Sequence, residues 1–497
     1  MISATLFEWT GRRFDCKNVD LLAELEERLC CTWSSRYGKT SSRAFFARRR
    51  DTYQRFGANA SQIGACSGVR GHVIRSDGRV FLEMKGAVEL SQPARALDKT
   101  PPNGYHAWRK RVTDLPWHRQ MELVRDTFHD LIKLGESLAP AHGSAVAGEP
   151  VQYLSGHGRV VNGPVKPSQL LKTPFQQACL GRVSVFDAER LLNPSELNGL
   201  GQRLAQSPLI QGHPEVVLSD ECQIDDGCLI VLPPLEPIPL HHPSLQKALA
   251  MERQGRAFRL VNRATLADRF ALENLVLSLA ISAGAIPWKT RLQRDRRILA
   301  IDAGHLTGQV RQSRWACCHY ATATGDHQLR VADSPLQENL TDASARLLEN
   351  DGGVIDEIWR DGRLHSRDMD LITDRVADTP VYELVKKPGV LLFRGSLSAP
   401  EPPREGDMFQ HQTGSLIQMG SITDRSASPH ILRVRGPVDR QWSQDVLALA
   451  RRPLRSAFRD TYLPAPMYYA DLASKLDYSK WLGALGHGWR LPAVESA

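Results

Sequence analysis

Four acidic residues occupy positions at which carboxylates could bind metal ions. Asp302 follows an apolar run, Glu338 lies at the start of a predicted helix, Asp361 stands before a glycine at a strand end, and Asp471 lies in the last predicted helix. Carboxylates held close together repel one another unless cations neutralise them. Two Mg²⁺ or Mn²⁺ ions bound by such a cluster would activate a water and stabilise the leaving oxygen of a phosphodiester hydrolysis.

Each acid taken alone has an ordinary explanation. An Asp after a strand usually serves a turn, and Asp361-Gly362 is a strong turn signal. A Glu in a first helical turn usually interacts with the helix dipole, as Glu338 would. The metal-site hypothesis therefore depends on whether the fold brings the four side chains together.

The predicted elements that follow residue 296 place these acids on neighbouring strands. "RRILAIDAGH" predicts a strand that ends at Asp302, and "RWACCHYATAT" and "HQLRVAD" predict a meander. A helix, "PLQENLTDASARLLEN", precedes the strand "GVIDEIWRDG". This β-β-β-α-β order resembles the ribonuclease H-like fold, in which a central first strand and its neighbour each hold one acid. Adjacent strands lie about 4.8 Å apart, so two such acids can bridge metals about 3.5–4 Å apart.

The upstream sequence predicts two further regions. From about residue 180, "RVSVFD", "NPSELNGLGQRLAQ" and "CLIVLPP" alternate strand and helix patterns, which is typical of a parallel α/β layer, and a long apolar helix within 268–289 ends near Gly284. Before residue 160, residues 71–84 predict a hairpin that turns at Ser76-Asp77-Gly78, and residues 117–136 predict a helix. The Gly-, Ala-, Ser- and Pro-rich stretch 137–150 predicts a linker or boundary.

Two of the acids lie in motifs that resemble those of Argonaute proteins, especially the prokaryotic ones. "ILAIDAGH" resembles the family's first PIWI strand with its catalytic Asp, carried here by Asp302. "PLQENL" is similar to the Gln-Glu pair of the family's glutamate finger, which makes Glu338 the finger.

The other two acids complete this resemblance. "IWRDGR" is similar to the family's Arg-Asp-Gly-Arg strand end and assigns the third acid to Asp361. "LPAPMYYADLASKL" resembles the family's terminal motif and assigns the fourth acid to Asp471. The resemblance implies a catalytic tetrad in which Asp302, Asp361 and Asp471 bind Mg²⁺ or Mn²⁺.

The motifs cover residues 180–497 and imply an α/β fold class. A Rossmann-like MID domain is expected at 166–290 and a ribonuclease H-like PIWI domain at 291–497. A smaller α+β region at 1–165 would precede them. It is too short for the full N-terminal set of long Argonautes, so a short type without a PAZ domain is expected.

The predicted site for the guide's 5′ end departs from the family pattern. The family usually places a Lys just before the glycines of the junction between MID and PIWI, where it binds the guide's 5′ phosphate, and this chain has Ser282 there. Lys247 and Arg259 lie roughly where other phosphate ligands would be. The sequence leaves both a 5′-phosphate and a 5′-hydroxyl guide open.

The resemblance implies a protein that pairs a short single-stranded guide with a complementary target and cleaves the target in defence against phage or plasmids. An alternative is a catalytically inert, guide-dependent sensor that activates a partner effector protein, since most short prokaryotic Argonautes have lost the acids. A guide-free ribonuclease H-like nuclease is a third hypothesis, which leaves the MID-like region unexplained. The sequence does not indicate whether guide and target are DNA or RNA.

Composition is consistent with a soluble protein that binds nucleic acid. The chain of 497 residues is 42% hydrophobic and 24% charged, near globular averages. Its net charge of +8 is clustered in runs such as 48–50, 108–111 and 291–297, which attract phosphate backbones. The nine cysteines form no CxxC pair, and we find no signal peptide and no membrane-spanning run, so a reducing cytoplasm without membrane contact is expected.

Overall fold

A computed structural model describes most of the chain. The described residues are 1–10, 43–48, 54–56, 63–93, 108–133, 137–163, 170–221, 227–233, 242–253, 258–306, 312–333, 354–361, 378–386, 388–422, 429–452 and 462–474. No helix among them is long and apolar enough to cross a membrane.

The strands and helices in chain order are as follows. The first eleven strands are β1 (Ile2–Ala4), β2 (Leu6–Trp9), β3 (Arg43–Arg48), β4 (Gln54–Phe56), β5 (Ile63–Ser76), β6 (Arg79–Pro93), β7 (Trp108–Asp114), β8 (Leu138–Pro140), β9 (Ser144–Val146), β10 (Gln152–Leu154) and β11 (Val160–Asn162). The next eleven are β12 (Ala178–Cys179), β13 (Arg182–Phe186), β14 (Ile210–Gln211), β15 (Glu215–Leu218), β16 (Gly227–Val231), β17 (Arg259–Val261), β18 (Lys289–Thr290), β19 (Arg297–Leu306), β20 (Gln312–Ala321), β21 (His327–Asp333) and β22 (Glu357–Asp361). The last six are β23 (Val381–Lys386), β24 (Leu392–Gly395), β25 (Pro400–Glu401), β26 (Met408–His411), β27 (Gly414–Gln418) and β28 (Ile431–Arg435). The helices are α1 (Trp117–Lys133), α2 (Pro194–Ala205), α3 (Pro243–Arg253), α4 (Arg263–Ala267), α5 (Arg269–Ser282), α6 (Arg440–Ala450) and α7 (Ala465–Ser474), with one 3₁₀ turn at Gly156–Gly158.

The chain forms two compact units, each built from two segments. Unit 1 contains Met1–Glu149 and Val385–Val438, and unit 2 contains Pro150–Leu384 and Asp439–Ala497. The first segment of unit 1 ends with the stretch predicted as a linker, but that stretch also contributes β8 and β9. The predicted boundaries of the MID-like and PIWI-like domains stay a prediction.

Unit 1 is built from antiparallel sheets. One sheet has the order β3-β5-β6-β2-β8, with β4 paired to β5 and β7 to β6. Helix α1 packs on β6 through Trp117, Met121 and Val124, which are buried in a core with Phe7 and Met84. Strands β28, β27, β26 and β9 pair in that order, and β24 pairs with β1 and β25.

The predicted hairpin of unit 1 is confirmed. Strands β5 and β6 pair antiparallel up to Ser76↔Arg79, which leaves Asp77 and Gly78 as a two-residue turn. Both residues have positive φ, +48° for Asp77 and +74° for Gly78. This is the left-handed conformation that a type I′ turn needs, so the Asp-Gly pair fixes the register of two long strands.

Unit 2 contains the predicted parallel layer. Strands β15, β13, β16 and β17 form a sheet in that order, and every pair in it is parallel. Helix α2 connects β13 to the next strands and begins with a capping box, since the Asn193 side chain accepts from the Glu196 N–H and the Glu196 carboxylate accepts from the Asn193 N–H. This layer has the α/β organisation that the sequence predicts.

Unit 2 also contains the predicted ribonuclease H-like strand order. Strand β19 pairs antiparallel with β20 and parallel with β22; β20 pairs with β21, and β22 pairs parallel with β23. Helix α7 packs on β19 and β20. The helix predicted between β21 and β22 lies outside the described residues. Strand β19, with neighbours on both sides, is thus the central strand of the predicted fold.

Candidate metal centre

Asp302 lies within the central strand of unit 2. Residues 298–301 just before it are fully buried, and Asp302 itself is 1% exposed. The predicted strand end at Asp302 is wrong, because β19 continues to Leu306 and stays paired with β20 over that length. A carboxylate at such a buried position requires compensating partners.

Asp361 is the last residue of β22, and the strand register places it beside Asp302. Residues Ile298 to Ile301 pair with Glu357 to Arg360 in parallel, so the next residues in register are Asp302 and Asp361. Residues at the same level on adjacent strands project to the same face of a sheet. Asp361 is also buried, at 6% exposure.

Asp471 reaches the same place from helix α7. It is half-buried. Its ligand oxygen and those of Asp302 and Asp361 all lie within 4.8 Å of one another, and this is the one such group of potential metal ligands among the residues that the structure describes. The structure therefore brings together three of the four predicted acids, which are separated by up to 169 residues in the sequence.

Stacked aromatic rings hold α7 at this sheet. The Tyr469 ring stacks on His327 of β21 with centroids 4.0 Å apart and an interplanar angle of 13°, and Tyr320 of β20 lies 6.2 Å from His327. The Arg452 guanidinium donates to the Tyr320 hydroxyl at 3.1 Å. Because Tyr469 and Asp471 are two residues apart on one helix, this stack helps to fix the third carboxylate.

The donor set suits a hard divalent cation. Three carboxylates supply only oxygen ligands, which Mg²⁺ and Mn²⁺ prefer. Two oxygens on opposite sides of one Mg²⁺ lie about 4 Å apart, since each Mg–O distance is about 2.1 Å. The cluster is therefore close to the size of one coordination sphere, and small side-chain rotations would complete it. Glu338, the predicted fourth acid, lies outside the described residues and stays a prediction.

A buried charge network at the other end of the same strands was not predicted. The Arg296 side chain pairs with Glu357 and Asp445 at 3.0 Å each. Trp359 and Trp442 donate to the Glu357 carboxylate at 2.8 and 2.9 Å. Burial raises the pKa of both carboxyls. Arg296 acts against this on both, the two tryptophans do so on Glu357, and the Gln293 backbone N–H does so on Asp445. The network ties the starts of β19 and β22 to α6, and no local sequence pattern indicates it.

The two residues predicted for the guide's 5′ end have partners within unit 2. Arg259 is 3% exposed, and its guanidinium donates to the Ser278 hydroxyl and carbonyl and, at 2.6 Å, to the Ser282 hydroxyl. The Lys247 ammonium donates to the Asp220 carbonyl and lies 5.5 Å from the Phe186 ring centroid. Lys247 thus lies at the carboxyl edge of the parallel sheet, where open α/β sheets bind ligands. Arg259 instead links β17 to α5.

Solved structures with the same fold are Argonaute proteins. Clostridium butyricum Argonaute bound to a guide DNA and a 19-mer target DNA matches with a TM-score of 0.61 and 10% identity, over 95% of this chain and 86% of that one. Marinitoga piezophila Argonaute in complex with 5′ OH guide RNA and target DNA matches with a TM-score of 0.60 and 11% identity, over 93% and 86%. A. aeolicus Argonaute matches with a TM-score of 0.56 and 12% identity, over 95% of each chain.

These matches establish the fold. The chain has the α/β fold of the MID and PIWI domains of Argonautes, so the resemblance seen in the sequence motifs is confirmed at the level of structure. The structural likeness covers more than nine tenths of the chain, whereas the motifs began at residue 180. Neither a scan against protein-family models nor a search of curated proteins finds a match.

Proposed function

Because the chain has the Argonaute fold, we propose that it holds a short single-stranded guide, pairs it with a complementary target strand and cleaves the target. The observation that carries this proposal is the cluster of Asp302, Asp361 and Asp471, whose oxygens lie within 4.8 Å of one another. A buried carboxylate cluster is costly unless it binds cations.

The three aspartates would hold and orient the cations from two rigid strands and one helix. When bound, two Mg²⁺ or Mn²⁺ ions supply the chemistry that activates a water and stabilises the leaving oxygen. Asp302 and Asp361, side by side on β19 and β22, give two fixed ligand positions. Asp471 on α7 supplies the third carboxylate ligand. Hydrolysis in this arrangement leaves a 3′ hydroxyl and a 5′ phosphate.

The guide and target would be recognised mainly through their backbones. A net charge of +8 favours phosphate binding without base preference. The neighbours include one bound to guide DNA and one bound to a 5′ OH guide RNA, so both guide chemistries occur on this fold. In this chain Ser282 accepts a hydrogen bond from Arg259, and a guide with a 5′ hydroxyl is a candidate. The role we propose is defence against phage or plasmid nucleic acid in the cytoplasm.

Cleavage is tested with purified protein in Mn²⁺. Four short guides, DNA or RNA with a 5′ phosphate or a 5′ hydroxyl, are each loaded before a labelled complementary strand is added. We expect a single cut at a fixed position for at least one guide type. Asp302→Ala and Asp361→Ala each lower the rate by roughly 100-fold or more, because loss of a ligand exceeds the 10–100-fold effect of losing a ligand's supporting partner. Asp326→Ala, an exposed aspartate in the β20–β21 turn, is the matched control and keeps full activity.

A second measurement separates a damaged fold from a lost metal site. Mn²⁺ raises the melting temperature of the wild type, because a cation that binds only the folded state stabilises it by about 2.7 kcal/mol at 100 times its Kd. Asp361→Ala loses most of this rise while it keeps its guide affinity. If the wild type binds the target tightly and only with a guide, but does not cut it, the nuclease hypothesis is wrong. That result would support the alternative, a target sensor that switches a partner effector.

A further inference from the structure

Unit 1 contains a polar cleft of about 510 Å³ that plays no part in the proposed metal chemistry. Its lining includes Glu8, Arg79, His142, Ser144 and His411. These residues come from β2, from the start of β6, from the segment before β9 and its first residue, and from the end of β26. The volume lies within the range of about 300–1,000 Å³ that is usual for small-molecule sites, but the lining is polar where such sites are mostly apolar. Its ligand must therefore be rich in hydrogen-bonding groups.

The cleft offers cationic and donor groups that the fold leaves available. Arg79 is 61% exposed and pairs with Glu8 at 3.6 Å, a separation longer than a hydrogen bond. Among the residues that the structure describes, the imidazole of His142 makes no hydrogen bond or ion pair. Arginine and histidine together are suited to a phosphate group, with arginine able to donate two parallel hydrogen bonds.

His411 is held as a neutral donor. The Thr413 backbone N–H donates to its Nδ1 at 3.1 Å, so the proton of the neutral ring lies on Nε2. Its ring packs edge-on against Phe81 with centroids 4.6 Å apart. Burial and then the nearby Arg433 lower the pKa of His411, which keeps the ring uncharged at neutral pH. The Nε2–H is therefore the ring's available hydrogen-bonding group.

The cleft also presents acceptors in fixed positions. The Gln410 and Gln412 amides donate to the carbonyls of Val438 and Ser76 at 3.0 and 3.3 Å, which orients both side chains and leaves their oxygens as acceptors. Glu8 adds a carboxylate. Gly143 packs against the Gln410 backbone in the wall of the cleft. A side chain does not fit there, since a Cβ on residue 143 would lie 2.4 Å from the Gln410 carbonyl oxygen. Donors beside acceptors match a ligand with a phosphate at one end and hydroxyl and amino groups at the other.

We propose that this cleft binds a nucleotide, with its phosphate at Arg79 and His142, its sugar hydroxyls at Glu8, and its base amino group at the glutamine oxygens. The nucleotide is either a free mononucleotide or the terminal nucleotide of a strand, since both present the same groups. Every contributing side chain belongs to unit 1, so the site does not depend on the aspartate cluster of unit 2 or on the cleavage proposed for it.

The test is equilibrium dialysis of radiolabelled AMP against the full chain in EDTA, which removes cations from the aspartate cluster. We expect saturable binding of one AMP per chain. Arg79 and His142 are exposed, so their substitution should not disturb the fold. Arg79→Ala and His142→Ala each weaken AMP binding about 10-fold or more, because each removes a hydrogen bond to the charged phosphate. Arg119→Ala is the matched control: this arginine is 63% exposed, pairs with Glu122 on α1 and lies outside the cleft, so AMP binding is unchanged.

Competition identifies the ligand. If a 5′-phosphorylated oligonucleotide displaces AMP at lower concentration than unlabelled AMP does, and Arg79→Ala weakens both, the site takes a strand end; if AMP competes better, it takes a free nucleotide. Inorganic phosphate that competes as well as AMP would overturn the nucleotide assignment. Absence of saturable binding, or binding that Arg79→Ala leaves unchanged, would overturn the site.

Discussion

The three clustered aspartates are held with different degrees of constraint. Asp302 and Asp361 belong to paired strands and are almost fully buried, while Asp471 is half-buried on a helix. The positions of the first two follow from backbone hydrogen bonding, and the position of the third depends on ring stacking by its neighbour Tyr469. The types of the three residues were predictable from motifs. The motifs also predicted that they share one site, but the spacing of their side chains was not predictable, because it requires the register of β19 against β22.

Asp407, a buried aspartate of unit 1, shows how a fully paired carboxylate behaves. Asp407 accepts two hydrogen bonds from Arg394 at 2.6 and 2.7 Å and one from each of the backbone N–H groups of Gly148 and Arg404 at 3.0 and 2.8 Å. Burial acts to raise its pKa, but these donors outweigh burial and hold the pKa of Asp407 below its usual value. The ionised form is thus the one that the fold stabilises.

We expect Asp407→Asn to destabilise unit 1 by about 3 kcal/mol at pH 7, because it leaves the Arg394 charge without its partner. The folded pKa is lower than the unfolded one, so the stabilisation by ionised Asp407 is complete above an unfolded pKa of about 3.9 and is lost as the pH falls through the folded value. Urea denaturation at pH 7 and at pH 3 measures this. We expect the difference in free energy of unfolding between wild type and variant to be smaller at pH 3 than at pH 7. A difference that is independent of pH would contradict the conclusion that ionised Asp407 stabilises the fold.

At the scale of elements, turns and caps largely follow from local sequence. The Asp77-Gly78 turn and the end of α5 near Gly284 lie where residue types predicted them, and α2 begins at an Asn193 cap that the local residue types explain. Strand β19 is the exception. Its apolar run stops at Ile301, yet pairing with β20 extends it to Leu306, since a ladder to a neighbouring strand overrides weak local propensity.

Two glycines in different elements should respond oppositely to alanine. Gly78→Ala costs about 1 kcal/mol, because alanine disfavours the φ of +74° that the type I′ turn needs. Gly199→Ala in α2 adds about 1 kcal/mol of stability, because nothing lies within 4 Å of the new Cβ and alanine is the better helix former. Gly181→Ala is the control, with open space and no left-handed φ. Thermal unfolding of the three variants measures the change in stability. A change of the same sign for Gly78→Ala and Gly199→Ala would refute the explanation.

At the scale of the whole molecule, the sequence indicated the fold of the second half, but it did not indicate which distant segments pack together in one unit. Strand β1 pairs with β24 through Ile2↔Arg394 and Ala4↔Leu392, and buried Glu83 pairs with Arg433. No periodicity in either segment predicts such distant pairing, because each segment reads locally as an ordinary strand. Residues 385–438 fall within the predicted PIWI-like domain, whose boundaries stay a prediction; their contacts group them with residues 1–149 in unit 1.

The excess positive charge predicts how the proposed guide binding responds to salt. Binding of a single strand through phosphates releases counterions, so log K falls linearly with log salt, with a slope of about −0.7 for each phosphate contact. We expect the affinity for a short guide to fall by at least roughly 10-fold between 50 and 200 mM KCl. Fluorescence anisotropy with a labelled guide measures the slope. An affinity independent of salt would show that phosphate contacts contribute little.

The order of segments also has a consequence for synthesis on the ribosome. Unit 1 cannot be completed until Val438 has been translated, and unit 2 is interrupted by the segment Val385–Val438 before it resumes at Asp439. Asp302 and Asp361 can come together on the nascent chain before Asp471 has been translated. A translation product that stops before α7 therefore lacks the third carboxylate, and the aspartate cluster is complete only after α7 has been made.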